Sequence, residues 1–141
     1  MRPSIRRLFR FTIGAYDNRI LGFWEPGAPT FQERLACLRY AFENGFTTSI
    51  SMEPMLDAPN AVKLFHRLAP YVTDSIWLGK LNRARNCVGK RTPEVEAAIC
   101  RIEANQSDEK IRAIYDALRH EPKVRWKDSV RKVIGLEEVA A

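Results

Sequence analysis

The sequence predicts an α/β fold, and three observations carry that prediction. Strand-like and helix-like segments alternate in the order β-α-β-α-β over the first 82 residues. The helices carry sequence start signals, and the crossovers are long enough to join parallel strands. Such crossovers are right-handed, so the five elements define either a slice of a barrel or part of an open sheet. The region 8–82 is therefore expected to hold about three parallel strands with flanking helices. The region 92–137 is expected to add a helical extension, within one domain spanning 1–141.

The first strand is read at Leu8 to Gly14, where Arg10, Thr12 and Gly14 oppose Phe9, Phe11 and Ile13 with a period of two. A loop rich in proline and glycine, Trp24 to Pro29, leads to a helix start. Thr30 can cap that helix while Glu33, three residues on, reaches back to complete a capping box. Phe31, Leu35, Leu38 and Phe42 then recur at helical spacing, and Gly45 supplies the stop. Phe46 to Met52, rich in Thr and Ser, reads as the second strand. Asp57 to Asn60 breaks the chain before a second helix with Ala61, Leu64, Phe65 and Leu68 on one face, ending before Pro70. A third strand runs from about Asp74 to Leu81. Beyond the basic segment Arg83 to Arg91, Thr92-Pro93 opens another helix with the stripe Val95, Ile99 and Ile102. Ser107 caps a helix carrying Ile111, Ile114, Tyr115 and Leu118, and a short helix runs from near Asp128 to Gly135.

With 141 residues the chain has the length of one ordinary domain. Its 45% hydrophobic and 28% charged composition is globular rather than disordered. No apolar run approaches the roughly 20 residues that cross a bilayer. The N-terminus lacks the apolar core of a secretory signal; Arg2, Arg6, Arg7 and Arg10 precede the first acid, Asp17, but run directly into a strand pattern. Three cysteines, Cys37, Cys87 and Cys100, lie too far apart for a zinc pattern or a secreted disulfide framework, so a reducing, cytoplasmic setting is expected. The net charge of +6 favours acidic partners such as nucleic acid, without a recognisable nucleic-acid-binding motif.

Functional groups of β/α folds gather at the C-terminal ends of parallel strands. That rule marks Gly14 to Asp17 after the first strand, Ser49, Ser51 and Glu53 on one face of the second, and Gly79 to Asn82 after the third. A polar row on a buried strand costs about 1–3 kcal/mol per unsatisfied group, so a ligand or interior water is expected to satisfy it. Asp17 reads as a turn residue, Cys37 as a small buried one, and Trp24, Trp77 and Trp126 as core or interface anchors. His66 and His120 fall on polar helix sides. Hydrolytic triads and phosphate-cradling glycine loops are absent.

Several segments together resemble a known family. They are Phe11-Thr12-Ile13-Gly14, Phe23-Trp24-Glu25-Pro26-Gly27-Ala28-Pro29, Glu33-Arg34-Leu35, Ser49-Ile50-Ser51-Met52-Glu53-Pro54-Met55-Leu56-Asp57, Val72 to Lys80, and Val124-Arg125-Trp126-Lys127-Asp128-Ser129. The chain resembles the later half of the barrel in radical S-adenosylmethionine proteins, in the group related to spore photoproduct lyase. The resemblance implies a partial (β/α) barrel whose later strands face S-adenosylmethionine, with Thr12, Ser49, Ser51 and Glu53 toward the cofactor and Lys80 near the rim. It further implies a [4Fe–4S] cluster, held in that family by Cys-x3-Cys-x2-Cys. This chain has no such motif. The expectation is a fragment or one half of a split enzyme, inactive without a cluster-bearing N-terminal half. A small basic nucleic-acid-binding protein and a non-functional remnant are the alternatives.

Overall fold

The computed structural model describes residues 7–86 and 88–136. Arg2, Arg6 and Cys87, marked above, lie outside the described residues. Four strands form one parallel sheet: β1 (Leu8–Thr12), β2 (Thr47–Met52), β3 (Ser75–Leu78) and β4 (Val124–Trp126). Their spatial order is β1-β2-β3-β4, the sequence order, with no reversal. A doubly wound sheet reverses direction midway. This sheet does not, and right-handed crossovers in a sequential order put the connecting helices on the same side. The protein is thus of the α/β class, singly wound, as a segment of a (β/α) barrel would be.

The helices are α1 (Asn18–Trp24), α2 (Phe31–Glu43), α3 (Ala61–Leu68), α4 (Pro93–Asn105), α5 (Asp108–Leu118) and α6 (Asp128–Ile134). The capping box at the head of α2 forms in full: Thr30 Oγ1 accepts from Glu33 N at 3.2 Å and Glu33 Oε1 accepts from Thr30 N at 3.1 Å. Hydrogen bonding from the Thr30 N–H, and then from the Thr30 side chain, holds the Glu33 carboxyl below its ordinary range. Thr92 and Ser107 cap α4 and α5 through their hydroxyls as the sequence predicts.

The core lies between the sheet and these helices. Ile50, Met52, Ile76, Leu78 and Val124 project from the strands and pack with Phe31 and Leu38 of α2, Leu64, Phe65 and Leu68 of α3, and Ile111, Ile114 and Leu118 of α5. Parallel pairing aligns Ile50 with Ile76 and Ile76 with Val124, so one face of the sheet is a continuous apolar layer. Among the described residues no helix is long and apolar enough to cross a membrane.

Four readings are corrected. The sheet has four strands rather than three, because Val124–Trp126 in the expected helical extension pairs with β3. Asn18–Trp24, where the sequence reading places no element and starts the loop at Trp24, form α1. Cys37 is exposed, since it stands outside the arc of α2 that meets the sheet. Phe42 of the α2 stripe is also largely exposed and packs edge-on to Tyr71 at the end of the helix.

Candidate functional site

Among the described residues, the opposite face of the sheet carries no helix-derived core layer. Register places Arg10, Ser49 and Ser75 side by side across it, and then Thr12, Ser51, Trp77 and Arg125 in the next row. Alternation along the strands puts Glu53, Gly79 and Lys127 just beyond that row, at the C-terminal ends of β2, β3 and β4. The sequence-marked residues Thr12, Ser49, Ser51 and Glu53 therefore do share one face.

Their states differ. Ser49 is fully buried and its hydroxyl is used inside the sheet. It donates to Ser75 O at 2.9 Å, lies 3.1 Å from the Ser75 hydroxyl and accepts the Arg10 Nε–H at 3.3 Å. Protein groups thus supply what the sequence left to a ligand or water at this position. Thr12 is exposed, Ser51 half-buried, and neither side chain has a hydrogen-bond partner among the described residues. Lys80 is held through its main chain, its N–H donating to Ser129 Oγ at 2.9 Å, and its ammonium meets none of the other four residues.

The strand ends are tied together by the turn after β2. Met55 N donates to Gly79 O at 2.9 Å, Leu56 N to Gly14 O at 3.1 Å, and Gly79 N to Met52 O at 3.1 Å. The Glu53–Pro54 peptide is cis. A Cβ on Gly14 would strike the Pro54 carbonyl oxygen, a main-chain atom, whereas one on Gly79 would meet the Glu53 side chain, which would have to shift. The Glu53 side chain thus packs closely over Gly79, just past the end of β3.

Lys127 completes this corner. Its Nζ is 3.9 Å from Glu53 Oε1 and 5.2 Å from the centre of the Trp77 ring, in cation–π range. The Trp77 indole N–H is buried and has no acceptor among the described residues. Sequence reasoning chose Lys80 for the rim and missed Lys127. The signal was the alternation Arg125, Lys127 continuing past a three-residue strand, hidden by the reading of that region as helical.

The loop Glu25 to Pro29 has a structural role centred on Arg34. Arg34 Nε donates to Pro29 O at 2.9 Å, its NH1 to Thr12 O at 3.0 Å and its NH2 to Glu25 Oε2 at 2.7 Å. The side chain is only 10% exposed, so the clamp is largely removed from water. On the far side, Gln106 fixes the segment after β3, accepting from Leu81 N at 2.7 Å and donating to Leu81 O at 3.2 Å.

A groove of about 570 Å³ runs between α1 and α4, past Asp17, Arg19, Phe23, Trp24, Glu94 and Arg101. None of Thr12, Ser49, Ser51, Glu53 or Lys80 lines it. Asp17 accepts from Arg19 N at 2.9 Å as the cap of α1, and that bond lowers its pKa below the ordinary value. It is the turn residue the sequence suggests.

Among the described residues no three His, Cys, Asp or Glu side chains are grouped to hold a metal ion. Cys37 and Cys100 are exposed on separate helices, α2 and α4, and do not form a ligand set for an iron–sulfur cluster. The fold and the open, polar sheet face define an α/β protein with a candidate ligand face. No protein-family model, curated protein or solved structure matches the chain.

Proposed function

We propose that the open sheet face binds S-adenosylmethionine, and that the chain is the cofactor-facing part of a radical enzyme whose iron–sulfur cluster is held by a separate N-terminal half. The observation that carries this reading is the polar row itself. Thr12, Ser51 and Glu53 line a face without a helix-derived core layer among the described residues, at the C-terminal ends of parallel strands, beside an indole N–H that lacks an acceptor among those residues. Hydroxyls, a carboxylate and an indole donor suit a ligand with ribose hydroxyls, an amino-acid moiety and a positive sulfonium.

Cys37 and Cys100 stand on separate helices and the sequence holds no Cys-x3-Cys-x2-Cys, so the reading assigns binding and not radical formation to this chain. The edge of β1 supports a further polypeptide. Leu8 and Phe9 are 48% and 40% exposed there, an apolar edge on which another strand can continue the sheet. The nucleic-acid reading has less behind it. In the basic segment, Arg85 pairs with Glu96 and Glu103, and Arg91 with Glu96. Hydrogen bonds from Arg91 and then Arg85 hold the Glu96 carboxyl below its ordinary range, so those charges are partly neutralised in place.

Titration of the isotope-labelled chain with S-adenosylmethionine tests the proposal. Saturable NMR shifts are expected at the amides of Ser51, Glu53 and Gly79. Shifts confined to the groove between α1 and α4, or none at millimolar ligand, would overturn it.

A further inference from the structure

We propose that the corner formed by Glu53, Trp77 and Gly79 is a site for an onium cation, a sulfonium or quaternary ammonium head, which the Lys127 ammonium fills in the free chain. An aromatic face flanked by a carboxylate is the chemistry that recognises such cations. Here both components are present and both already hold a positive group, Lys127 Nζ, at 3.9 Å from the carboxylate and 5.2 Å from the ring centre. The protein itself thus demonstrates the charge preference of the corner.

Three features make the corner a site rather than a chance surface pair. Gly79 leaves room for the Glu53 side chain to pack directly over the main chain at the end of β3, where the same Lys127 ammonium reaches both the carboxylate and the Trp77 ring. Trp77 stands on the face of the sheet that has no helix-derived core layer among the described residues, and its ring already takes a cation–π contact from Lys127. Glu53 and Lys127 side chains remain 38% and 32% exposed, so a ligand can reach them.

The hold of Lys127 is weak on both sides. An exposed ion pair contributes little once solvent screens it, and an exposed cation–π contact is modest. Lys127 is the residue before α6 but gives no side-chain cap to it, so its ammonium can swing away without unwinding the helix. A methylated cation is less strongly hydrated than a primary ammonium and loses less on leaving water. It can therefore displace Lys127, which acts as a removable plug that sets a threshold for entry.

This inference rests on the cofactor reading in one respect: a sulfonium is the charge that separates S-adenosylmethionine from its thioether products. Its test uses a probe without the adenosyl group. The labelled chain is titrated with trimethylsulfonium, following the Trp77 indole N–H and the Gly79 amide, with tert-butanol as the neutral isostere. Saturable shifts are expected with the cation alone. Lys127→Met is expected to tighten binding about two- to fivefold, the equivalent of one exposed cation–π contact. Glu53→Gln is expected to weaken it about tenfold, and Lys127→Gln stands in should the Met variant fold poorly. Equal affinity in all variants, or an equal response to tert-butanol, overturns the site. If trimethylsulfonium follows the expected pattern while S-adenosylmethionine leaves Trp77 unmoved, the onium corner stands and the cofactor reading falls. If S-adenosylmethionine binds the face but no variant changes the sulfonium response, the inference alone falls.

Discussion

The two faces of the sheet come from the same strands and differ in almost everything else. On β2, Thr48, Ile50 and Met52 are completely buried on the helix side, while Ser51 and Glu53 of the alternating set reach the open side. The period of two in a strand lets six residues serve two purposes at once. The covered face obtains its stability from apolar burial against α2, α3 and α5. The open face keeps hydroxyls, a carboxylate and an indole N–H in places where burial alone gives no reason for them. A polar row in a structural sheet is usually satisfied by its own neighbours, as Ser49 is. Ser51 and Trp77 have no such partner among the described residues, and the proposed ligand face rests on that contrast.

The largest expected effect lies on the covered face. Phe65→Ala removes a ring that is 1% exposed, between α3 and the sheet, and is expected to cost about 3–5 kcal/mol. Thermal or denaturant unfolding measures it. A loss below about 1 kcal/mol would mean that the helices do not hold this face as described, and the distinction between the two faces would collapse.

The clamp that joins the faces comes next. Arg34 bonds a carboxylate and two main-chain carbonyls from a position nearly closed to water, while its partner Glu25 is 27% exposed. Solvent around Glu25 discounts the ion-pair share, so Arg34→Gln is expected to cost about 1.5–3 kcal/mol, mostly through the lost bonds to Thr12 O and Pro29 O. Amide exchange at β1 and the Pro26 to Pro29 loop should rise together. Faster exchange in the loop alone would show that the clamp does not reach the strand.

Much of the covered face is legible in the sequence because its signals are local. The capping box at Thr30 and Glu33 is a four-residue pattern, the stripe Ala61, Leu64, Phe65 and Leu68 is a single helix face, and the alternation in β2 needs only six residues. The elements that escaped are held by distant partners. Asn18, at the head of α1, accepts from Phe31 N at 2.8 Å and donates to Gln32 Oε1 at 2.7 Å, so a seven-residue helix is fastened to the next one across a loop. β4 has three residues, too few for a period, and is defined by its pairing with β3 and by Ile76 N donating to Lys123 O at 2.8 Å. The site was legible in the same uneven way. Alternation and strand ends mark Ser49, Ser51 and Glu53, Thr12 enters only through the family resemblance, and Lys127 reaches Glu53 only because β4 adds to the sheet.

The smallest effect is the most discriminating. Ser49 and Ser51 are two residues apart on one face of one strand, and a purely compositional view treats them alike. Ser49→Ala takes a buried hydroxyl from a network with Ser75 and Arg10 and is expected to cost about 0.5–1.5 kcal/mol. Ser51→Ala removes a half-buried hydroxyl with no partner among the described residues, and its stability is expected to stay within about 0.5 kcal/mol of the parent. Ligand binding should reverse the order, with Ser51→Ala weakening S-adenosylmethionine more than Ser49→Ala does. Unfolding and binding measured on the same two variants check both halves. If Ser51→Ala destabilises as Ser49→Ala does, its hydroxyl serves the fold, and the ligand face shrinks to the corner around Glu53 and Trp77.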